Sequence, residues 1–315
     1  MVQPCPSVSI SILNWMSYED SIQCVLSLQQ LTYPNFQIII RDNASMNDSF
    51  DQLKKAFPYL RIERSSDNQG YAAGHYENYL IAKELKADLL WILNSDLEVD
   101  PEALSELVKA YKKKPNCLYG SVSLTPGENE LIDFGGAPYG ENSNKQLSYN
   151  CWKGKTLTEL KSEVGESYAV ESVEGSSMMI PMAVIEKHGF MQTDFFMYGE
   201  ETDYCYRLRK VGLPSLVVSN SIVYHHNQGS FQFSDDLKKV PAYYRRRNAL
   251  RFSMEHLGLK RSEALGYLNG TSANLKTVLK GFFSSKKDLN YYYALGCWHA
   301  FLGKKGKNIQ PEKLL

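Results

Sequence analysis

Residues Asp88–Asp96 read DLLWILNSD. Five consecutive apolar residues, Leu89 to Leu93, are too few for a helix that stands alone and suit a strand covered on both faces of a sheet. The run ends in three small polar residues, Asn94, Ser95 and Asp96, before Pro101 opens a new helix. Ligands of open α/β sheets gather beyond the carboxyl ends of the strands. A carboxylate at that edge is placed to hold a hard divalent cation, which in turn holds a phosphate. Taken alone, the segment favours a simpler reading, in which Asp96 begins a turn. The decision rests on the rest of the chain.

Upstream, Val8–Leu13 (VSISIL) reads as a first buried strand, with a loop at Asn14–Tyr18. An amphipathic helix of about Glu19–Leu31 follows, with Val25, Leu28 and Leu31 on one face, and Tyr33-Pro34 breaks it. Phe36–Ile40 is a second strand ending in Arg41, Asp42 and Asn43; a short helix covers about Ser49–Phe57 and a third strand Leu60–Glu63. The next helix, Gly70–Leu85, turns Tyr79 and Leu80 to the core and delivers the chain to the quoted strand. This β-α-β-α-β-α-β order predicts an α/β fold with a doubly wound, mostly parallel sheet flanked by helices.

Downstream of a helix at Pro101–Lys113 the pattern loosens. Leu118–Val122, Leu131–Phe134 and Ala169–Val173 are short strand candidates, and the polar, aromatic stretch Gly135–Gly165 suits a substrate-facing excursion. Ser176–Ile180 is a buried strand again. Glu200–Val211 is helical by pattern, with Tyr204, Leu208 and Val211 on one face and Gly212 as its stop. Leu216–Val218 and Ile222–Tyr224 are short strands running into His225-His226, before a turn at Gly229-Ser230. From Val240 the chain reads as helical, with breaks near Gly258, Gly281 and Gly303. No internal repeat or low-complexity segment interrupts it.

The 315 residues suffice for one large domain or one domain with an appendage. Basic and acidic residues balance at 35 each, but from Lys238 onward there are 16 Lys/Arg against 4 Asp/Glu. Such a tail meets something anionic, a membrane surface or a diphosphate lipid, or is a solvated helical face. Its aromatics, Phe282, Phe283, Tyr291, Tyr292, Tyr293, Trp298 and Phe301, suit a helix on an anionic membrane; packing onto the rest of the chain or a homodimer contact through the tail helices would also use them. The six scattered cysteines have no zinc spacing and fit a reducing compartment. No basic signal region opens the chain and no run is long enough to span a membrane, so a cytoplasmic protein, peripheral at most, is expected. Nothing points to a nucleic-acid partner.

Polar tails follow three of the first four strands: Asn14, Asp42-Asn43, and Asn94 with Asp96. In a parallel sheet these tips share one edge, so the groups converge. Asp42 is suited to a ribose or a base N–H, and Asn68-Gln69-Gly70 opens a helix whose Gly70 and Gly74 leave room for a ligand near the backbone. Capping and turn chemistry accounts for each of these singly; together they favour a nucleotide crevice. The loop after the first strand, NWMSYED, lacks G-x-G-x-x-G, and no Walker lysine occurs, so the phosphates need another counter-charge, which a cation on Asp96 supplies. Glu200, Glu201 and Asp203 crowd one helix start beyond what the dipole needs, and like charges raise one another's pKa as a general base requires. His225 is a plausible second metal ligand beside Asp96, and Arg245-Arg246-Arg247-Asn248 suits diphosphate oxygens or a basic helix face.

These residues resemble the family 2 glycosyltransferases of the GT-A fold, in particular bacterial rhamnosyltransferase-like members. The likeness lies in SISILNW, IIIRDNASMNDS, DNQGYAAGHYENYLIA, LLWILNSDLEVDPEAL, VEGSSMMIPMAVIEKHGFM, DFFMYGEETDYCYRLRKVG, IVYHHNQGS and YYRRRNALRF, which cover most of residues 7–252 in family order. The resemblance implies a catalytic domain over 1–237, with a nucleotide-binding half of about 1–115 and an acceptor-side half of about 116–237, and a basic helical extension over 238–315. It implies inverting transfer of rhamnose or another hexose from a dTDP- or UDP-linked donor to a hydroxyl of a glycan or polyprenyl-diphosphate-linked acceptor, with Mg²⁺ or Mn²⁺. Asp42 then matches the base- or ribose-binding aspartate. Asn94-Ser95-Asp96 stands at the Asp-x-Asp position, with Asp96 the metal ligand and Asn94 in place of the first aspartate. Glu201 stands at the catalytic base, where aspartate is more usual; His225 matches the late metal-binding histidine, and Arg247-Asn248 an Arg-Asn pair near the donor phosphates. Asn14, Asn68 and Gly70 complete the expected donor side. A binding protein of the same fold without turnover is the main rival, against which Glu201 argues. A nucleotidyltransferase would want a Gly- and Arg/Lys-rich loop where NWMSYED stands.

Overall fold

The computed structural model describes residues 5–127, 131–137, 150–226, 235–269 and 288–314. The chain opens with β1 (Val8–Asn14), α1 (Tyr18–Leu28), β2 (Phe36–Asp42), α2 (Ser49–Ala56), β3 (Arg61–Arg64), α3 (Tyr71–Glu84) and β4 (Leu89–Asn94). The four strands lie parallel in the order β3-β2-β1-β4, as the alternating pattern predicts. Along β4, Leu89, Trp91 and Leu93 enter one hydrophobic core and Leu90 and Ile92 the other. That is why this stretch is continuously apolar: a strand with helices on both faces has no side to give to water. Each fully buried side chain of this kind contributes roughly 1.5–3 kcal/mol of transfer free energy, so packing rather than propensity holds the strand.

The second half comprises β5 (Leu97–Val99), α4 (Ala103–Lys113), β6 (Leu118–Leu124), β7 (Ile132–Phe134), α5 (Leu157–Glu163), β8 (Ser167–Val170), β9 (Ser177–Pro181), α6 (Met182–His188), α7 (Glu200–Lys210) and β10 (Ser215–His225). Here the sheet becomes mixed: β9 runs antiparallel to both β4 and β6, β6 pairs in parallel with β10, and β5 closes the edge antiparallel to β10. A buried polar chain stitches this half together. The Trp91 indole donates to Ser177 at 3.1 Å, and Ser121 lies 2.8 Å from both Ser177 and Ser221.

Several local expectations change. Leu80, expected in the core, is 42% exposed, and Val211 is 57% exposed just past the end of α7. The two short strands around 216–224 are one strand, β10, with a register shift between Val218 and Ile222. Within the expected 135–165 excursion, residues 138–149 lie outside the described residues, and α5 begins at a capping box between Thr156 and Glu159. β5 was not anticipated. Three residues, one of them charged, carry no period of their own.

The C-terminal part forms α8 (Lys239–His256), α9 (Arg261–Asn269) and α10 (Leu289–Phe301). α10 packs along α8, and Gly296 makes this possible: a Cβ there would sit 2.6 Å from the Tyr243 carbonyl oxygen. Tyr291 and Tyr292 are buried in a cluster with Tyr243, Tyr244, Phe196 and Met197. Those tyrosines therefore pack inside the molecule and do not form a membrane-facing stripe; Phe282, Phe283 and the expected break at Gly281 lie outside the described residues, as does the turn at 229–230. No helix among the described residues is long and apolar enough to cross a membrane.

Candidate active site

Beyond the carboxyl ends of β1, β2 and β4 lies a cavity of about 760 Å³. Its walls include Trp15, Asn43, Asn68, Gly70, Asn94 and Asp96 from the first half of the chain, and Glu174, Glu200, Glu201, His225 and Arg245 from the second. The sheet edge thus gathers groups far apart in sequence, as the topology requires.

On the first side, Asn14 and Asp42 face each other in register at the ends of β1 and β2. Both are fully buried behind the wall. The Asn14 amide donates to Asp42 at 2.9 Å and accepts from Ser21 at 2.8 Å; Asp42 also accepts from the Ser45 N–H at 3.0 Å and pairs with Arg64 at 3.5 Å. Asn14 is therefore a strut for Asp42 rather than a ligand contact. The residue that reaches the cavity from this strand end is Asn43. Its amide donates to Asn68 at 3.1 Å, and Asn68 accepts from the Gly70 N–H at 3.0 Å. The two glycines do not leave room for a ligand, contrary to expectation: at Gly70, φ +90°, a Cβ would lie 2.1 Å from the Phe196 carbonyl oxygen, and at Gly74 it would meet Leu13 at 2.4 Å. Their bareness serves close packing of α3 against the chain around Phe196 and against β1.

β5 supplies what the sequence did not reveal. Its pairing sets Leu97 opposite His225, and the His226 N–H donates to the Asp96 carbonyl at 3.2 Å. The Asp96 carboxylate consequently lies 3.5 Å from His225 Nε2, with Glu174 3.9 Å from Nδ1. Burial works against charge on both partners, yet each outweighs it for the other. Asp96 stays below the ordinary aspartate range, and His225, helped by Glu174, rises to about 8. An anionic oxygen and an imidazole nitrogen side by side on a cavity wall fit Mg²⁺ or, better, Mn²⁺, which accepts both ligand types. Among the described residues the one cluster of three ligand-type groups is elsewhere, at Asp203, Glu255 and His256. Asp203 there is held 2.7 Å from both Arg207 and His256, and these partners outweigh burial to keep it ionised. Asp203 is not among the residues that line the cavity.

Glu201 lies in the first turn of α7, after an unusual run of backbone. Phe196 and Tyr198 have φ of +70° and +63°, and Gly199 +92°. Non-glycine residues in this region are strained, and the strain is held by Asn248, whose amide donates to the carbonyls of Phe195, Met197 and Tyr198 at 3.1, 2.8 and 2.7 Å. Arg247 does the same work. Fully buried, it donates to Phe195 O, Gly306 O, Asn308 and Asn248 at 2.6–2.9 Å. The expected phosphate role of Arg247 is therefore corrected: its donors are taken by the protein. Arg245, two residues back and about 200° around the helix, lines the cavity instead, stacked 4.4 Å over the Tyr198 ring. Glu201 accepts from the Gly199 N–H at 3.1 Å, and burial lifts its pKa above the ordinary glutamate value while amide N–H groups at the helix start restrain the rise.

Residues 9–159 match the family described as Glycosyl transferase family 2. Over 209 residues, 64% of the chain, the sequence is 27% identical to the low-salt glycan biosynthesis hexosyltransferase Agl10 of Haloferax volcanii, and the match covers 62% of that protein. The fold is similar to that of GalNAc-T7, solved with UDP, GalNAc and Mn²⁺, with a TM-score of 0.57 and 17% identity over 96% of this chain and 58% of the other. The chain thus spans about three fifths of the length of each of these two proteins. With the strand order and the shared sheet edge already in place, residues 9–159 are similar to the family 2 glycosyltransferases, and the fold agrees with that likeness.

Proposed function

We propose that the protein transfers a hexose from a nucleoside-diphosphate donor, UDP- or dTDP-linked, to a hydroxyl of a glycan or lipid-linked acceptor, with inversion at the anomeric carbon. One observation carries the reading: Asp96 with His225, Glu201 and the Asn43–Asn68 pair line a single cavity at the carboxyl edge of the sheet. The nucleoside lies toward Trp15, Asn43 and Asn68, with buried Asp42 shaping that wall from behind. Asp96 and His225 would hold the divalent cation. When bound, the ion supplies Lewis-acid stabilisation of the departing diphosphate. Arg245 adds a guanidinium for the phosphate oxygens. Glu201 takes the proton from the acceptor hydroxyl as that oxygen attacks and the diphosphate departs; burial raises its pKa, which makes its carboxylate a stronger base. Phe196, Met197, Tyr198 and Tyr71, whose hydroxyl donates to Gly175 O at 2.5 Å, line the cavity together with the carboxylate.

The test is a panel of UDP- and dTDP-hexoses with Mn²⁺ or Mg²⁺, read as nucleotide release with and without acceptor, for wild type and Glu201→Gln. Release dependent on acceptor and metal, lowered about 10²–10⁴-fold in Glu201→Gln, is the expected outcome. Full turnover in the variant would move the base elsewhere, and no release from any donor would leave a binding protein.

A further inference from the structure

Glu200, beside the base, has a different environment from Glu201. It is 3% exposed, lines the same cavity, and its Oε2 has no hydrogen-bond partner among the described residues. A residue that merely complements the helix dipole would present its carboxylate to the amide N–H groups of the first turn. The carboxyl of Glu200 does lie near the N–H groups of Tyr198 and its own backbone, but its buried Oε2 has no partner among the described residues, in a residue that lines the cavity. An orphaned buried polar atom in a residue of the cavity wall calls for an explanation, and a ligand hydroxyl supplies one.

The charged and titratable groups around it are Glu201 on the same helix, Arg247 and Arg245 on α8, Tyr198 before the helix and Tyr71 on α3. The nearest cation, Arg247, has its donors directed at Phe195 O, Gly306 O, Asn308 and Asn248. Two adjacent buried carboxyls cannot both ionise at low cost. Glu201, with the Gly199 N–H on its carboxylate, is the member better supported as an anion. Glu200 is then the neutral one, and its pKa is raised well above the ordinary glutamate value by burial and by the Glu201 charge.

We propose, resting on the glycosyltransfer reading above, that Glu200 is a specificity-determining residue: a carboxylic acid that donates a hydrogen bond to a hydroxyl of the sugar carried by the nucleotide. The two glutamates divide the work by protonation state. Glu201 accepts a proton from the acceptor, and Glu200 donates a hydrogen bond to the donor sugar without giving its proton away.

The experiment compares wild type, Glu200→Gln and Glu200→Ala for affinity to UDP and to a panel of UDP-hexoses that differ in single hydroxyls, with Mn²⁺ present. Gln keeps a neutral hydrogen-bond donor of the same length; Ala has none. UDP affinity is expected to stay within about twofold in both variants. Affinity for the preferred UDP-hexose is expected to fall about tenfold in Glu200→Ala and to recover most of that loss in Glu200→Gln. The Ala defect is expected to vanish for the analogue lacking the contacted hydroxyl. If Gln is as defective as Ala, the charge matters and the proposal fails. If UDP and UDP-hexose affinities fall together, Glu200 is structural and the proposal fails. If wild type binds neither UDP nor any UDP-hexose, while dTDP-hexoses also fail, the reading of the site itself is overturned.

Discussion

At the residue scale the site is an arrangement of four carboxyls whose surroundings set them apart. Asp96 is kept ionised by His225, Glu201 is raised but held by N–H groups, and Glu200 is raised well above the ordinary glutamate value by burial and the Glu201 charge. Glu174 is also raised, mainly by burial, though His225 opposes the rise. Asp96→Ala removes the carboxylate proposed to hold the cation, so calorimetry should show nucleotide binding that no longer responds to Mn²⁺ or EDTA. A variant whose affinity still depends on Mn²⁺ would place the cation elsewhere. The Glu200 pKa carries a stability consequence of definite sign. Its folded value lies above its unfolded value, so the acid form favours the folded state. Below the unfolded pKa of about 4.3 both states bind the proton and folding carries no penalty. As pH rises toward the folded pKa the unfolded chain ionises first, and that stability is lost. Glu200→Gln escapes the loss. It should raise Tm at about pH 7 and have little effect near pH 4. A stabilisation that is equal at both pH values would mean that Glu200 is ionised in the fold.

At the scale of elements, the parallel half was legible because apolar runs buried on two faces announce themselves, and Asp88–Asp96 does so most clearly. β5 was not. LEV is too short to show a period, and only its pairing with β10 across the sheet reveals why Asp96 meets His225. The clamp on the Phe196–Gly199 backbone was equally hidden, since side chains that bond carbonyls 50 residues away leave no local signal. The triplet 245–247 lies on one turn of α8, yet Arg245 lines the cavity and Arg247 is buried, because residues two apart in a helix face opposite ways. That division predicts opposite phenotypes. Arg245→Ala should weaken UDP binding several-fold, in a salt-dependent way, with Tm nearly unchanged. Arg247→Ala takes a donor from two carbonyls and two amide side chains and leaves a large buried space, and should cost about 3 kcal/mol or more of stability. Denaturant curves and UDP titrations on the two variants separate the roles; equal loss of UDP affinity with equal stability would erase the distinction.

For the molecule as a whole, the question is whether the basic C-terminal helices form a unit apart. A boundary near 237 was expected where the charge balance shifts. The contacts cross it repeatedly. Asn248 and Arg247 hold the chain before α7, and Gly306 N–H donates to Asp194 O at 2.6 Å. Lys307 reaches the nucleotide side, donating to Asn68 O at 2.7 Å. Phe196 and Met197 share a hydrophobic cluster with α8 and α10. An element that supplies both the clamp and part of the core cannot leave without releasing the strained residues that aim Glu200 and Glu201. Thermal unfolding of the full chain should therefore show one transition, with far-UV circular dichroism and tryptophan fluorescence coinciding. Trp298 is the only tryptophan after residue 237, so Trp298→Phe isolates its signal by difference. That difference signal should change at the same temperature as the rest. UDP binding should disappear in the same step, because the Asn68 wall and the α7 start are tied to the same C-terminal residues. An early loss of the Trp298 signal that leaves UDP binding intact would show the tail to be a separate domain and would return the 237 boundary to its expected place.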